Sequence, residues 1–353
     1  MCKIGGGIFT HTQGKDTNYF KNRIILVEKL RKMKIGIAGV GHLGKIHLKL
    51  ALASAQYDVV GFFDADPKNA AQVAKDFGVS RYDSFESLVD AVEVIDIVTP
   101  TPYHAELAAI AIQKDKHVFI EKPVTQTVAE AEMLMDLLKS HPVKLQVGHV
   151  ERFNPAYLAV KEHQARPLFI EAHRLAMYNP RGTDVSVVHD LMIHDLDILL
   201  DLVDSEVKEV MANGVSIVSP SPDICNARIV FENGCVANVT ASRISMKNMR
   251  KIRLFQNDAY LSIDFLDKSV EIIHLFDKKP ANHDHAMSLD TKTGKKWLTM
   301  EMPEVKSVNS ILMELETFAE AIQNDTEVDV DLEAGMKALV LAEKISDQLD
   351  GSY

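Results

Sequence analysis

Residues 34–47 read KIGIAGVGHLGKIH: a short apolar strand, then Gly39-Val40-Gly41-His42-Leu43-Gly44, then a helix-spaced segment. A G-x-G-x-x-G pattern alone carries little weight. Between a strand and a helix, each glycine has a physical task. Gly39 permits the tight turn, Gly41 lets a pyrophosphate approach the backbone, and Gly44 lets helix and strand pack closely. The helix N-terminus offers N–H donors to the anion, with His42 and Leu43 beside it. Asp64 ends the next strand 20 residues after Gly44, where a carboxylate binds the adenosine ribose diol. That carboxylate would repel a 2′-phosphate, and no Arg or Lys follows before Lys68. The pattern predicts a dinucleotide site that takes NAD rather than NADP.

Outward from this stretch the chain alternates. Strands are predicted over 34–39, 59–64, 94–99, 117–120 and 145–148. Helices are predicted over 42–53, 67–77, 84–90, 104–113 and 128–139. Such alternation implies a parallel sheet covered on both faces, ending near Val150. Beyond it, helices over 154–162 and 189–203 accompany strands over 168–174, 206–216, 224–231, 236–242, 251–256, 260–264 and 270–274. Strands joined by short turns imply an antiparallel sheet. Residues 277–299 read as an exposed polar loop, and 310–323 and 332–349 as closing helices. The expected fold is α/β: a Rossmann domain over 33–150, then an α+β domain with a large, mainly antiparallel sheet over 151–353.

Residues 1–32 hold seven Lys/Arg and two Asp/Glu and no periodicity, and they read as an N-terminal extension. The 353-residue chain is 46% hydrophobic with net charge −11. That suits about two folded domains and lacks the basic footprint of a nucleic-acid binder. No apolar run approaches the roughly 18 residues of a membrane helix. Three cysteines form no disulfide framework and suit a reducing, cytoplasmic location. A two-residue turn at Asn233-Gly234 would pair Glu232 with Cys235 and place Cys225 opposite Ser242.

Other motifs fall at the same sheet edge. Thr99-Pro100-Thr101-Pro102-Tyr103-His104 follows the third strand, and its two prolines keep the chain extended where the crevice of an open α/β sheet lies. His104 fits either a ligand contact or a rigid helix cap. Glu121-Lys122-Pro123 follows the fourth strand. A partly desolvated Lys122 can work as an acid or base, although an isolated lysine is more often a surface group. In 189–197, HDLMIHDLD, helical spacing places Asp190, His194, Asp197 and Asp201 on one face. Either the face is a solvated acidic stripe, or Asp190 orients His194 as a base. The spacing lacks H-E-x-x-H, and no metal is expected.

Together, KIGIAGVGHLGKIH, TPTPYH, EKPVTQTVAEAE and the D-x-x-x-H of Asp190–His194 resemble the Gfo/Idh/MocA family of oxidoreductases. The resemblance implies a nicotinamide-binding domain followed by an open-sheet domain. It also implies homodimers or homotetramers through that sheet, and Lys122, Asp190 and His194 around the reacting carbinol. It places Gly39, Gly41, His42, Leu43, Gly44, Asp64, Thr99, Pro100, Thr101, His104, Glu121 and Lys122 at the cofactor. VGHVERFNP (147–155) and DLMIHDLDILLD (190–201) resemble the subgroup containing UDP-N-acetylglucosamine 3-dehydrogenase, which implies oxidation of a nucleotide-sugar 3-hydroxyl. Arg152, Asn154, Arg174 and His194 are candidates to hold the sugar or its diphosphate, since Arg matches phosphate bidentately. An inositol or free-sugar dehydrogenase of the same fold, or a non-catalytic NAD-dependent sensor, are the alternatives. Relatives often carry Gly-Gly ahead of the D-x-x-x-H aspartate, where this chain has Val187-Val188-His189.

Overall fold

The computed structural model describes residues 31–349 except 162, 164, 180–184, 282 and 284. The 1–32 extension therefore lies almost wholly outside the described residues. Five parallel strands, β1 (Met33–Ala38), β2 (Tyr57–Phe63), β3 (Val94–Ile97), β4 (His117–Glu121) and β5 (Leu145–Gly148), lie in the order β2-β1-β3-β4-β5. Between them run α1 (His42–Ala53), α2 (Pro67–Phe77), α3 (Phe85–Ala91), α4 (His104–Gln113) and α5 (Val128–Leu138). Local chemistry sets these boundaries. Asp66 accepts the Lys68 N–H ahead of Pro67, and Thr127 and Glu130 close a reciprocal capping box at α5. The five strands are mostly apolar, and the three central ones, β1, β3 and β4, are nearly all buried, as a sheet covered on both faces requires.

A nine-stranded sheet follows: β6 (Phe169–Leu175), β7 (Val207–Val215), β8 (Ile224–Phe231), β9 (Val236–Ser242), β10 (Met249–Phe255), β11 (Ala259–Asp264), β12 (Ser269–Phe276), β13 (Met287–Thr291) and β14 (Gly294–Glu301). Its order is β13-β14-β12-β11-β10-β6-β9-β8-β7, with β6–β9 its one parallel pairing among the described residues. One face is apolar and covered. On β8, Cys225, Ala227, Ile229 and Phe231 are buried while Asn226 and Arg228 are exposed. Helices α6 (Pro155–Lys161) and α7 (Ile193–Leu202) supply the covering layer, with α8 (Ser310–Gln323) and α9 (Leu332–Leu349) closing the chain. Helix α9 packs on both sides: Leu339 joins the core of the first sheet, while Leu341, Ala342 and Ile345 join that of the second. Helix α8 lays Leu315, Phe318 and Ala319 on the first sheet beside Phe119.

Two expectations are corrected. Residues 277–299 are not simply a loop, because β13 and β14 form a hairpin there that pairs with β12. Its lysines disguised it, yet an edge strand exposed on both faces tolerates charge. Trp297 lies between the ammonium groups of Lys279 and Lys295. The turn after β8 contains three residues rather than two, with Phe231 N–H bonded to Cys235 O. Gly234, at φ +86°, takes the left-handed position. Cys225 consequently faces Ala241, one residue from the expected register. Both described thiols, Cys225 and Cys235, are free and buried.

Candidate active site

The carboxyl ends of β1 to β4 open into one cleft of about 700 Å³. Its walls are the loop Gly39–Leu43, the Phe63–Asp66 turn with Asn69, Val98–Pro100 with Tyr103 and Leu107, and Glu121–Lys122. Most of the residues expected at a cofactor therefore share one surface. Gly39 sits at φ +86°. A Cβ on Gly44 would fall 1.9 Å from the Gly39 carbonyl oxygen, whereas one on Gly41 would meet nothing within 4 Å. Gly44 is thus required by packing. Gly41 borders open space, the cradle a pyrophosphate needs at a helix N-terminus. Asp64 accepts hydrogen bonds from Val40 N (2.8 Å), Asp66 N (2.8 Å) and Asn69 Nδ2 (3.1 Å). Of about four carboxylate lone-pair sites, one is left on Oδ1 for a ligand hydroxyl. The residues present fit an NAD molecule.

Thr101 and His104 do not line the cleft. Thr101 starts a single 3₁₀ turn ahead of α4. His104 is buried with Nδ1 2.9 Å from Pro123 O and Nε2 2.8 Å from Thr99 O. It bridges the two loops that carry Thr99 and Lys122. Burial lowers its pKa. Asn69, Tyr103 and Leu107 are cleft residues the sequence reading did not single out. They belong to helix starts whose facing is set by the sheet.

Lys122 projects from the end of β4, its side chain 16% exposed. Its Nζ donates to the main-chain carbonyl of Asp190 at 2.8 Å and lies 3.8 Å from the Asp190 carboxylate. Burial lowers the Lys122 pKa, with Asp190 and Glu121 pulling the other way. The acceptor carbonyl lies in a π-helical turn, Val188–Met192, that precedes α7. Such turns are rare and recur at functional sites. The expected pairing of the two side chains is not formed: among the described residues no hydrogen bond joins Asp190 to His194, and Asp190 meets Lys122 instead. His194 Nδ1 is buried with no hydrogen-bond partner among the described residues. Asp190 therefore neighbours Lys122 and does not orient His194. Burial, aided by the Lys122 and Arg174 charges, holds the His194 pKa well below its ordinary value. A neutral imidazole and a desolvated lysine can accept and pass a proton. Val187 and Val188, where relatives carry glycines, are fully buried in the second core.

Arg152, Asn154 and Arg174 are engaged by other protein groups. Arg174 holds Asp195 bidentately (3.0 and 2.9 Å) and Glu151 through Nη1 (3.0 Å). Arg152 holds Asp197 bidentately at 2.8 Å and also pairs with Asp201. Asn154 donates to Glu151 and to Phe265 O, and its Oδ1 accepts the Ala156 N–H. Of the supposed acidic stripe only Asp197 is buried, while Asp190, His194 and Asp201 are half-buried; Asp195, off that face, is buried as well. These ions lock α7 to β6 and to the turn Val150–Phe153. His149 was missed by the sequence reading, although it sits inside the quoted VGHVERFNP. It is buried, both ring nitrogens lack hydrogen-bond partners among the described residues, and Nδ1 lies 3.8 Å from Asp197. Burial lowers its pKa.

Comparison with known proteins agrees with this geometry. The family profile described as "Oxidoreductase family, NAD-binding Rossmann fold" matches residues 33–149. The GFO/IDH/MocA C-terminal domain matches 163–261. UDP-N-acetylglucosamine 3-dehydrogenase of Acidithiobacillus ferrooxidans is 34% identical over 88% of this chain and 95% of its own length. Its solved structure superposes with TM-score 0.82 at 32% identity, over 91% of this chain and 98% of that one. The scyllo-inositol 2-dehydrogenase (NAD(+)) of Bacillus subtilis is 26% identical over 87% of this chain and 93% of its own length. A scyllo-inositol dehydrogenase from Lactobacillus casei, 20% identical with TM-score 0.74, shares the fold over 91% of this chain and 97% of its own. With a relative of such identity matched almost end to end, and a glycine cradle and carboxylate that fit NAD, the chain belongs to the Gfo/Idh/MocA family of NAD-binding oxidoreductases.

Proposed function

We propose that the protein oxidises a secondary alcohol of a sugar, the 3-hydroxyl of a UDP-N-acetyl sugar, with NAD. The observation that carries the chemistry is Lys122, fixed by the Asp190 carbonyl where the cleft meets the π turn, beside half-buried, neutral His194. His194 takes the hydroxyl proton. Lys122 holds the substrate oxygen as the carbonyl forms, and the Asp190 carboxylate tunes the Lys122 charge. Gly41 and Asp64 hold pyrophosphate and ribose, and Thr99, Pro100 and Glu121 wall the nicotinamide side. When bound, NAD supplies the acceptor for the carbinol hydride. Residues 33–150 act as the nucleotide domain and 151–353 as the substrate and assembly domain.

One observation favours a second reading, an inositol or free-sugar dehydrogenase: the charges of Arg152 and Arg174 are each matched by carboxylates of the protein itself rather than held open for a diphosphate. NADH production across a panel of UDP-sugars, free sugars and inositols separates the two. Turnover confined to UDP-N-acetyl sugars supports the first reading. Turnover confined to inositols or free sugars replaces it, and no turnover with any of them favours the sensor.

The uncovered face of the second sheet carries an aromatic cluster, Phe169, Phe255 and Tyr260, with ring centroids 5.8 and 5.1 Å apart. It is the surface through which a homodimer or homotetramer would form, and light scattering of the purified protein tests this. No described helix is long and apolar enough to cross a membrane, and the free thiols suit the cytoplasm.

A further inference from the structure

Behind the cleft lies a buried cluster that the proposed reaction does not use. His47, on α1, stands with Nδ1 3.0 Å from Asp96 on β3 and Nε2 3.3 Å from Glu121 on β4. Glu314, on α8, brings a carboxylate oxygen within 4.8 Å of the His47 and Glu121 ligand atoms. Glu314 is 0% exposed, and neither of its oxygens has a hydrogen-bond partner among the described residues. The other groups around it are Tyr57 on β2, whose hydroxyl donates to Leu315 O, and Gln146 on β5, whose Nε2 donates to Glu314 O. Glu316, one turn face away, is taken by Ser54.

Charge counting decides the state of this cluster. Among the described residues the cluster's own cation is an imidazolium at His47, since the Lys122 ammonium that follows Glu121 is already paired with Asp190. Asp96 and Glu121 alone outnumber that imidazolium. A third carboxylate, ionised and without donors in a sealed interior, would carry a large desolvation penalty. We propose that Glu314 is a proton-carrying, neutral positioning residue that completes the His47–Asp96–Glu121 cluster and so fixes Glu121, and the lysine after it, at the floor of the cleft. The link to the site is direct: Glu121 Oε2 accepts the Lys122 N–H at 3.2 Å. Asp96 and Glu121 hold the His47 pKa well above its ordinary value against the cost of burial. Burial, with the Glu121 charge, pushes Glu314 well above the carboxylate range.

The inference rests on the role given to Lys122, but its primary test reads protonation and does not depend on turnover. A carboxyl whose folded pKa is raised contributes stability that is present at low pH and lost as pH rises through the folded value. Glu314→Gln, a neutral isostere, removes that loss. Its melting temperature is expected to equal or exceed that of the wild type at about pH 8, with the advantage shrinking toward about pH 5, where the carboxyl of the unfolded chain also begins to hold its proton. A Glu314→Gln protein less stable than wild type at both pH values overturns the proposal. Should Glu314→Gln not fold, infrared spectra of wild-type protein labelled with ¹³C-glutamate decide. A protonated-carboxyl band that moves with the label at neutral pH supports the proposal, and absence of the band overturns it. Stoichiometric metal in the purified protein, measured by mass spectrometry, also overturns it, because an ion would then be the missing positive charge. The positioning role adds a kinetic split: Glu314→Leu is expected to lower kcat with NAD affinity held, and Glu314→Gln to restore it. Equal losses in both variants overturn that role.

Discussion

The glycine loop after β1 and the π turn before α7 both lead to the cleft, yet they are held in opposite ways. The loop is fixed by local backbone geometry: Gly39 at φ +86°, Gly44 against the Gly39 carbonyl, and one carboxylate, Asp64, bonded to the Val40 N–H. The π turn and α7 are fixed by ions far apart in sequence. Arg174 and Arg152 clamp Asp195 and Asp197 from another strand and another turn. A loop of the first kind can be read from consecutive residues. One of the second kind exists only after distant segments meet, and its loss leaves buried charges unpaired.

The largest expected effect breaks the second support. Arg174→Ala strands Asp195 and Glu151, both buried, and should cost about 3–5 kcal/mol of stability, read as a lower denaturation midpoint. A stability close to wild type would show that water or rearrangement satisfies them.

Next come Lys122→Ala and His194→Ala. Each should lower kcat by roughly 100-fold or more, the scale of general acid–base catalysis, with NAD affinity nearly unchanged. The double variant should lose less than the product of the two, since both groups serve one proton transfer. Near-normal turnover in both singles would remove them from the mechanism.

Two glycine substitutions then sharpen the comparison inside the first support. Gly44→Ala drives a Cβ into the Gly39 carbonyl and should destabilise by about 1–3 kcal/mol. Gly41→Ala has open space and should fold as the wild type does while binding NAD more weakly. If the two behave alike, the division between packing glycine and ligand glycine fails. Asp64→Ala should weaken NAD by about tenfold, near the lower end for a hydrogen bond to a charged group, and relax the preference against NADP. Tighter binding of NADP by the unmodified protein would contradict this.

The smallest effect is in the pH profile. His194 is held well below the usual 6.5 by burial and by the Lys122 charge. Turnover should rise with pH through a single ionisation whose midpoint lies below 6.5. In Lys122→Met, removing the nearby cation should move the midpoint of the residual activity upward by a fraction of a unit. An unmoved midpoint would separate the two groups electrostatically.

The nucleotide half was legible because its rules are local. Strand, glycine turn, helix and a carboxylate at the next strand end are fixed by φ, by close packing and by hydrogen bonds over a few residues. Lys122 was legible for the same reason, as the residue just past a strand at the ligand edge. His47 was in plain view three residues after Gly44, yet nothing local shows that Asp96, Glu121 and Glu314 converge on it from three other elements. Arg152, Asn154 and Arg174 were read as ligand donors because an arginine's chemistry is the same whether it meets a phosphate or an aspartate. Asp190 was read as the partner of His194 from their i, i+4 spacing, which says nothing of the Lys122 ammonium that arrives from another strand and meets Asp190 instead. Residue type and local period were enough to determine the fold, the cofactor cradle and the lysine. Which charged groups face a ligand and which neutralise one another depends on partners far away in sequence, from 21 residues for Arg174 and Asp195 to more than half the chain for His47 and Glu314, and the tertiary structure alone decided it.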